Sequence, residues 1–410
     1  MCPGLIFCRL LSIATEDDGS VKDNEPVEPE TCIDSNGTGN VSQCQLLKEE
    51  LDAVRRELEL LKIANKELES TREVPLLKVQ LHVVRHELEL LRITNEELTE
   101  KCEKLENDSF SWDNMKNNEE SVIFYTGLPS RNVFIILLNL FDDIDINYFY
   151  GWEVKKFSRA DQMLMTLIKL RQNTPWFMLA QMFHCSVATV TNVVTTWIYL
   201  LHTILFKNFM KKIPSRTKNR ACLPSCFNDF ANCRMVLDCT EVTIAIPESI
   251  EAQRLTYSPY KHRNTGKGLI VVAPNGVIMY ASTLYPGCAS DKEIVRHSKV
   301  LSHSVAGDLI LADKGFLLDD IVPPDVAFNI PPFLCQPQFT PSQILTTKSI
   351  VRARIHVERA IRRVKTFRIL DMIPHQMRIH ASVIFQTCAA LTNMKPPLIA
   401  EVEYLYKSSS

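Results

Sequence analysis

Two short apolar runs in the second half of the chain each end in an aspartate, and this pattern constrains the fold most strongly. Asp238 follows the apolar residues 235–237, and Asp313 follows the apolar residues 309–312. Runs of this length are typical of buried strands, and open α/β sheets bind their ligands at the carboxyl ends of strands. Glu358 lies on a stretch with helical spacing further along the chain. The pattern predicts an α/β fold with three carboxylates near one edge of a mixed sheet.

Three carboxylates at one site predict divalent-metal chemistry. Mg²⁺ and Mn²⁺ prefer oxygen ligands, and two such ions can activate a water or hydroxyl and stabilise the leaving oxygen of a phosphodiester. Asp238, Asp313 and Glu358 are therefore the candidate catalytic residues and metal ligands. Taken alone, each acid could instead cap a helix or bind backbone amides.

The region around these acids alternates between strand and helix signals. Residues 274–276, Pro-Asn-Gly, predict a hairpin turn, and Ser290 with Glu293 forms a capping box that opens a helix. Residues 323–341 are rich in proline and predict irregular structure, whereas residues 348–367 predict a long basic helix. The predicted strands before the first helix are residues 235–237, 242–246, 269–273 and 277–284.

Residues 44–106 carry a heptad pattern in two copies, which predicts a coiled coil. The first copy is Leu47, Leu51, Val54, Leu58, Leu61, Asn65 and Leu68, and the second is Leu77, Leu81, Val84, Leu88, Leu91, Asn95 and Leu98. The copies lie thirty residues apart, which is not a multiple of seven, and Pro75 breaks the register between them. A single Asn in each seam favours a parallel homodimer through residues 44–106. The alternative is intramolecular packing of a long solvated helix.

The rest of the N-terminal half divides into three parts. Residues 1–43 are predicted to be a disordered segment, because residues 14–43 are rich in polar side chains and carry few large apolar ones. Residues 107–130 are predicted to be a linker, within a segment 107–150 that ends in an apolar leading helix. We expect no membrane partner, because no apolar run approaches the length of a span. The net charge of −2 means that any DNA-binding surface must be local.

Residues 151–207 predict three short helices, a spacing typical of a helix-turn-helix. Ser158 can cap the first helix, Pro175 can open the second, and Ser186 can cap the third. Thr189 and Asn192 would lie near the start of the third helix, where they are candidates for DNA contact. A helical bundle that packs on the next domain is the alternative.

An ordered series of motifs resembles the DDE nuclease domain of PIF/Harbinger-type transposases. The series includes Leu-Asp-Cys-Thr-Glu at 237–241, Tyr-Ser-Pro-Tyr-Lys-His at 257–262, Ser-Asp-Lys-Glu at 290–293, Ala-Asp-Lys-Gly-Phe at 312–316, Asn-Ile-Pro-Pro-Phe at 329–333 and Arg-Ile-His-Val-Glu-Arg-Ala at 354–360. Residues 155–205 also resemble the helix-turn-helix segment that precedes this domain in the same lineage.

The resemblance implies an RNase H-like nuclease domain over residues 234–394, with a C-terminal tail at 395–410. Asp238 would bridge two metal ions, Asp313 would bind one, and Glu358 would close the site. The implied reaction is hydrolysis at transposon ends, followed by transfer of the freed 3′ end to target DNA. The lineage implies nuclear localisation, with a cytoplasmic pool as a second expectation, and a separate Myb-like DNA-binding partner. Gly268 is smaller than the residue that the resemblance leads us to expect at a strand start.

Further polar residues surround the predicted triad. Asp291 belongs to a matching motif and is a further candidate metal ligand, although an acid there also stabilises the first turn of a helix. The candidate DNA-binding residues, beside Thr189 and Asn192, are Lys261, His262, Lys267, Arg354, Arg359, Arg362 and Arg363. Ordinary solvated charge is the alternative for the lysines, and internal ion pairs are the alternative for the arginines.

Two functions remain open on the sequence. The first is a metal-dependent DNA endonuclease that breaks phosphodiester bonds and transfers strands. The second is a catalytically silent DNA-binding or scaffold protein that has the same fold and dimerises through its heptads.

Overall fold

The structure is a computed structural model that describes residues 40–68, 74–107, 110–210, 212–313, 315–329 and 341–402. The chain divides into two compact units, of which one contains residues 24–114 and the other contains the chain from Met115 onwards. The predicted disorder of residues 1–43 falls mainly outside the described residues. The same holds for residues 330–333 of the matching motifs and for the end of the C-terminal tail.

The first unit consists of the helices α1 (Asn40–Leu68) and α2 (Val74–Asn107), which pack against each other. α1 contains 29 residues, which makes it about 44 Å long. Residues 69–73 can span at most roughly 18 Å, so the helices must run antiparallel. The predicted seams face each other, because Leu51 and Leu88 are buried and the neighbouring seam positions are half-buried. The intramolecular alternative is therefore how these seams are used in this chain, and homodimerisation through residues 44–106 remains a prediction.

The second unit begins with a helical region. The boundary between the units lies in the short helix α3 (Trp112–Met115). The helices that follow are α4 (Glu119–Thr126), α5 (Arg131–Asn139), α6 (Arg159–Gln172), α7 (Trp176–Met182) and α8 (Val187–Leu201), which continues into a π-helix (His202–Phe209). The predicted caps of α6 and α8 are confirmed, since Ser158 and Ser186 accept hydrogen bonds from the first turn of each helix. The predicted linker is wrong for α4, whose Val122 is fully buried and which packs on α6.

The helical region packs directly on the sheet domain. His202 Nε2 lies 2.8 Å from Gln386 Oε1 on α13 (Ala381–Thr392), and Tyr199 bonds His380 just before that helix. Arg171 also donates to the carbonyl of Thr366. The region is therefore both a helix-turn-helix in its spacing and a bundle that packs on the next domain, as the alternative proposed.

Among the described residues, one helical stretch, Val187–Phe209, is long and apolar enough to cross a membrane, and α4 with α5 meets the same criterion as a pair bent by 58°. Most of the first stretch is buried within the fold, including Val193 and Trp197. Such burial is typical of a core helix, so length and composition alone do not indicate a membrane span here.

Within the described residues, the sheet domain is built on seven strands. They are β1 (Cys233–Thr243), β2 (Tyr257–Ser258), β3 (Arg263–Val272), β4 (Ile278–Ala281), β5 (Tyr285–Pro286), β6 (Leu309–Leu311) and β7 (Ala327–Asn329). β3 pairs antiparallel with β1, β4 and β5, whereas β6 lies parallel to β1 and β7 parallel to β6. The longer strands therefore follow the order β4-β3-β1-β6-β7. This mixed sheet confirms the predicted α/β, RNase H-like fold.

Helices complete the sheet domain. They are α9 (Arg216–Arg220), α10 (Ile250–Thr256), α11 (Asp291–Ser298), α12 (Pro341–Val364) and α13. The hairpin at 274–276 and the capping box of Ser290 with Glu293 are confirmed. Two predictions are wrong: β1 is one continuous strand where two were expected, and β7 lies within the segment predicted to be irregular. β1 continues because its pairing with β3 runs from Val236 to Thr243.

Gly268 has a structural reason on β3. A Cβ atom at this position would lie 2.5 Å from a ring carbon of Phe385 on α13, a distance that real contacts do not reach. The absence of a side chain therefore lets α13 pack closely on the sheet.

Candidate active site

Asp238 and Asp313 lie level with each other on neighbouring parallel strands. Val236 of β1 pairs with Leu311 of β6, and each aspartate lies two residues beyond its member of this pair. The prediction that Asp238 ends β1 is wrong. The strand continues past Asp238, which pairs with Ile270, because β1 stays paired with β3. Asp238 lies instead where the pairing with β6 ends, so the two acids share one edge of the sheet.

Glu358 approaches the same edge from α12. This helix packs on β1 and β3 through a buried face that includes Ala353, Val357 and Ala360. Glu358 lies beside that face, with 57% of its side chain exposed. Asp238, Asp313 and Glu358 line a single cleft. The sequence therefore brings together the three acids that it predicts, although they are separated by up to 120 positions along the chain.

Arg354 is the cation that the fold places among these acids. Its guanidinium lies 3.3 Å from Asp313 and 3.8 Å from Glu358, one helical turn further along α12. Only 8% of its side chain is exposed. The prediction that Arg354 holds the DNA backbone is therefore at odds with its position, and the internal ion pair is what the structure contains.

Asp238 is the least solvated member of the three. Burial raises the pKa of Asp238 to about 7, and the nearby carboxylates of Asp313 and Glu358 act in the same direction. The guanidinium of Arg354 lowers this pKa, but it does not compensate fully. The fold therefore disfavours the charged form of the Asp238 carboxyl, and any cation that enters the cleft would favour that form.

The chemistry of the three acids fits a hard divalent cation, since each offers carboxylate oxygens of the kind that Mg²⁺ and Mn²⁺ bind. Their present spacing is wider than a metal site requires. Within the described ranges, no group of three His, Cys, Asp or Glu side chains lies close enough together to hold one ion. In this arrangement the guanidinium of Arg354 lies between the carboxylates of Asp313 and Glu358, at 3.3 Å and 3.8 Å.

Asp291, the further candidate metal ligand, begins α11 at the border of the same cleft. Its Oδ1 lies 2.7 Å from Nζ of Lys267. Burial lowers the pKa of Lys267, but the bond to Asp291 outweighs this effect, so the pKa is raised overall. Burial and the neighbouring Asp291 carboxylate also raise the pKa of Cys239. Lys267 and Asp291 thus neutralise each other, which leaves neither the DNA contact nor the metal contact confirmed.

The other predicted DNA-binding cations of the sheet domain lie in different environments. Lys261 is exposed and lines the cleft, whereas His262 is exposed in the adjoining turn with a φ of 52°. Arg359 and Arg362 are exposed on α12 without lining the cleft, and Arg363 donates to the carbonyl of Pro396 at 2.6 Å. Among these five cations, Lys261 is the one that lines the same cleft as the three acids.

The two predicted DNA contacts of the helix-turn-helix differ in accessibility. Thr189 is half-buried in the first turn of α8, where its amide donates to Ser186 Oγ. Asn192 is fully buried, and its side chain bonds the amide of Tyr150 and the carbonyl of Trp152. The prediction for Asn192 is therefore at odds with its position, because the side chain fixes the preceding loop.

Sequence reasoning gave no role to Glu241 and Tyr260 of the cleft, and it named Lys365 only among the basic residues of the helix that carries Glu358. Glu241 accepts a hydrogen bond from Thr265 at 2.7 Å, Tyr260 lies exposed, and Lys365 is half-buried. Burial and nearby Lys261 lower the pKa of Lys365, although Glu241 and Asp238 oppose the change. A signal for Lys365 was present, since it follows Glu358 by seven residues, or two helical turns on the same face.

Comparison with known families places the chain. Residues 237–393 match the family model of the DDE superfamily endonuclease, and residues 155–207 match that of the helix-turn-helix of DDE superfamily endonucleases. No curated protein and no solved structure matches the chain. The first match contains all three acids of the cleft, and the two matches occur in the predicted order. The chain is thus a transposase-derived protein of the DDE endonuclease superfamily.

Proposed function

We propose that the protein is a divalent-metal-dependent DNA endonuclease whose catalytic residues are Asp238, Asp313 and Glu358. The observation that carries the proposal is their convergence from β1, β6 and α12 on one cleft. The endonuclease and helix-turn-helix matches support DNA as the substrate. Among the lineages of this superfamily, the motifs quoted above favour the PIF/Harbinger-type transposases.

Asp238, Asp313 and Glu358 would hold Mg²⁺ or Mn²⁺. Such ions, when bound, would activate the attacking oxygen and stabilise the leaving oxygen of the phosphodiester. Such a cation would favour the charged form of Asp238, because its raised pKa falls when positive charge approaches. Arg354 keeps Asp313 and Glu358 from repelling each other until then.

Positive side chains of the cleft would hold the substrate. Lys261 and Lys365 line it together with the acids and can bind the phosphates on either side of the scissile bond. Hydrolysis would break the bond between phosphorus and the 3′ oxygen and leave a free 3′-hydroxyl. In strand transfer, that hydroxyl would attack a phosphate of the target DNA and expel the 3′ oxygen of the target strand.

We also propose that two copies associate through α1 and α2. The seams are used within each helix pair, but a second row of apolar side chains remains exposed beside them. Its members are Leu46, Leu60, Ile63, Val79, Val83, Leu90 and Ile93. The spacings of four, seven and three along α2 are those of a second seam. Leu90→Lys with Ile93→Lys should convert the dimer to a monomer in sedimentation, with unchanged helix content.

We further propose nuclear localisation, with an additional cytoplasmic pool, because the proposed substrate is DNA. The resemblance to PIF/Harbinger-type transposases adds a separate Myb-like protein that would supply end recognition. The helix-turn-helix itself offers few contacts for that task, because Asn192 is buried and the start of α8 carries no Lys or Arg. A partner that binds the transposon ends would supply what this surface lacks.

A second function, a catalytically silent DNA-binding or scaffold protein, is favoured by one observation. Arg354 already pairs with two of the three acids. If these pairs persist when Mn²⁺ is present, the cleft is held closed to metal and the protein binds DNA without cutting it.

Nicking of supercoiled plasmid by the full-length protein in Mg²⁺ or Mn²⁺ tests the proposal. The wild type should nick, and Asp238→Asn and Glu358→Gln should both abolish nicking. Glu248→Gln is a matched control, since Glu248 is exposed and does not line the cleft. A folded wild type that neither nicks nor binds Mn²⁺ would contradict the enzyme and favour the silent scaffold.

A further inference from the structure

Tyr260 exposes its aromatic ring at the border of the acid cleft. The residue is 79% exposed, yet it lines the same cleft as Asp238, Asp313 and Glu358. Single exposed apolar side chains are common on protein surfaces and need no explanation by themselves. The position of this ring does require an explanation, because it lies beside the three acids proposed to act on a phosphodiester.

The turn that carries Tyr260 is held in a defined shape. β2 and β3 pair on either side of it, through Tyr257 with Asn264 and Ser258 with Arg263. Ser258 Oγ accepts a hydrogen bond from the amide of Lys261 at 3.2 Å. The ring therefore lies on a short, ordered hairpin. Because the turn is already ordered, it loses little conformational entropy when a ligand binds.

A cation accompanies the ring. Nζ of Lys261 lies over the ring of Tyr260, 4.5 Å from its centroid. Lys365, directly after the end of α12, lines the cleft as well, and the charge of Lys261 lowers its pKa after the larger effect of burial. An exposed aromatic ring flanked by lysines is the combination with which proteins bind unpaired nucleotides, since the ring stacks on a base and the cations bind the backbone.

We propose that Tyr260 stacks on an unpaired base of the DNA strand next to the scissile phosphate. This inference rests on the proposed nuclease function and names the state of its substrate. Every base presents a π face, so the contact is independent of sequence. A base can reach the ring only after it leaves the duplex stack, so the DNA is opened locally at the cut site.

The contact also assigns a separate role to each neighbour. Lys261 binds the phosphate that flanks the stacked base, and the acids contact the phosphate that is cut. Tyr260 is accordingly a positioning residue, because it fixes the strand without touching the reacting atoms.

Fluorescence of 2-aminopurine measures the proposed contact. A single-stranded oligonucleotide and the matching duplex, each with one 2-aminopurine, are titrated with the full-length protein in Ca²⁺. Tyr260→Ala should weaken single-strand binding by roughly tenfold, with little change for the duplex. Tyr260→Phe should retain both the affinity and the quenching of 2-aminopurine. Tyr257→Ala is the matched control, since Tyr257 is exposed three residues earlier and does not line the cleft.

The outcomes separate this inference from the nuclease itself. Equal single-strand binding by wild type and Tyr260→Ala would overturn the inference, as would an equal loss in Tyr260→Phe, because that result would assign the effect to the hydroxyl. Plasmid nicking is measured in parallel. If the wild type nicks and Tyr260→Ala binds normally, the stacking contact fails while the nuclease stands.

Discussion

The two ends of β6 carry aspartates in opposite environments. Asp308, just before the strand, is fully buried and lies 2.7 Å from Arg234 and 3.6 Å from Arg216. Asp313, just after the strand, is 53% exposed and lies 3.3 Å from Arg354 in the cleft. The fold thus surrounds the acid that it uses for structure and leaves oxygen atoms accessible on the acid that we assign to catalysis.

The largest difference is expected in catalysis. Asp313→Asn removes a charge from an exposed position, so it should reduce plasmid nicking by roughly 1,000-fold. The change in stability should be small, because Arg354 keeps Glu358 as a counter-ion. Nicking rates in Mn²⁺, with urea unfolding of the same samples, measure both quantities. Retained nicking by Asp313→Asn would remove this residue from the triad.

A comparable loss, but of stability, is expected at the other end of the strand. Asp308→Asn leaves the buried guanidinium of Arg234 without its counter-ion and should lower the free energy of unfolding by about 3 kcal/mol. The midpoint of urea unfolding reports this loss. Nicking per folded molecule should stay close to that of the wild type, and a selective loss of nicking would mean that both ends of β6 serve the active site.

A smaller effect depends on pH and concerns Asp238. Its pKa rises from 3.8 unfolded to about 7 in the fold, so the native state binds more protons between these values and the wild type loses stability as pH rises through them. Asp238→Asn carries no such group. Without metal its free energy of unfolding should exceed that of the wild type at about pH 8, and this difference should disappear at about pH 4. Urea unfolding at both pH values measures the difference, and a gain that is the same at both would reject the raised pKa.

The smallest effect tests the packing that supports the sheet. Gly268→Ala places a Cβ against the ring of Phe385 and should cost about 1 kcal/mol of stability. Phe385→Leu in the same chain should restore part of the loss. If Gly268→Ala unfolds at the same urea concentration as the wild type, α13 packs less tightly on β3 than described.

The sequence predicted the elements whose signals are local. The capping box at Ser290, the hairpin at 274–276 and the acids after two apolar runs depend on neighbouring residues, and the structure contains all of them. The continuous β1 was missed because its second half gains its strand conformation from pairing with β3, which lies far along the chain.

The side chains that were misassigned share a different cause. Asn192 and Arg354 have the chemistry of DNA contacts, but tertiary neighbours bury them: the loop at Tyr150 and Trp152 for the first, and Asp313 with Glu358 for the second. Helical spacing alone placed Arg354 on the face of Glu358, and it could not show that Asp313 would arrive there too. The exposure of Tyr260 depends in the same way on how a turn meets the cleft.

Binding of Mn²⁺, followed by electron paramagnetic resonance, tests the central claim most directly. The full-length wild type, Asp313→Asn and Asp308→Asn are titrated with Mn²⁺ at about pH 8, where Asp238 is charged. We predict that the wild type and Asp308→Asn bind with similar affinity and that Asp313→Asn binds at least about tenfold more weakly. Equal binding by Asp313→Asn and the wild type would contradict the assignment of the cleft as a metal-dependent active site.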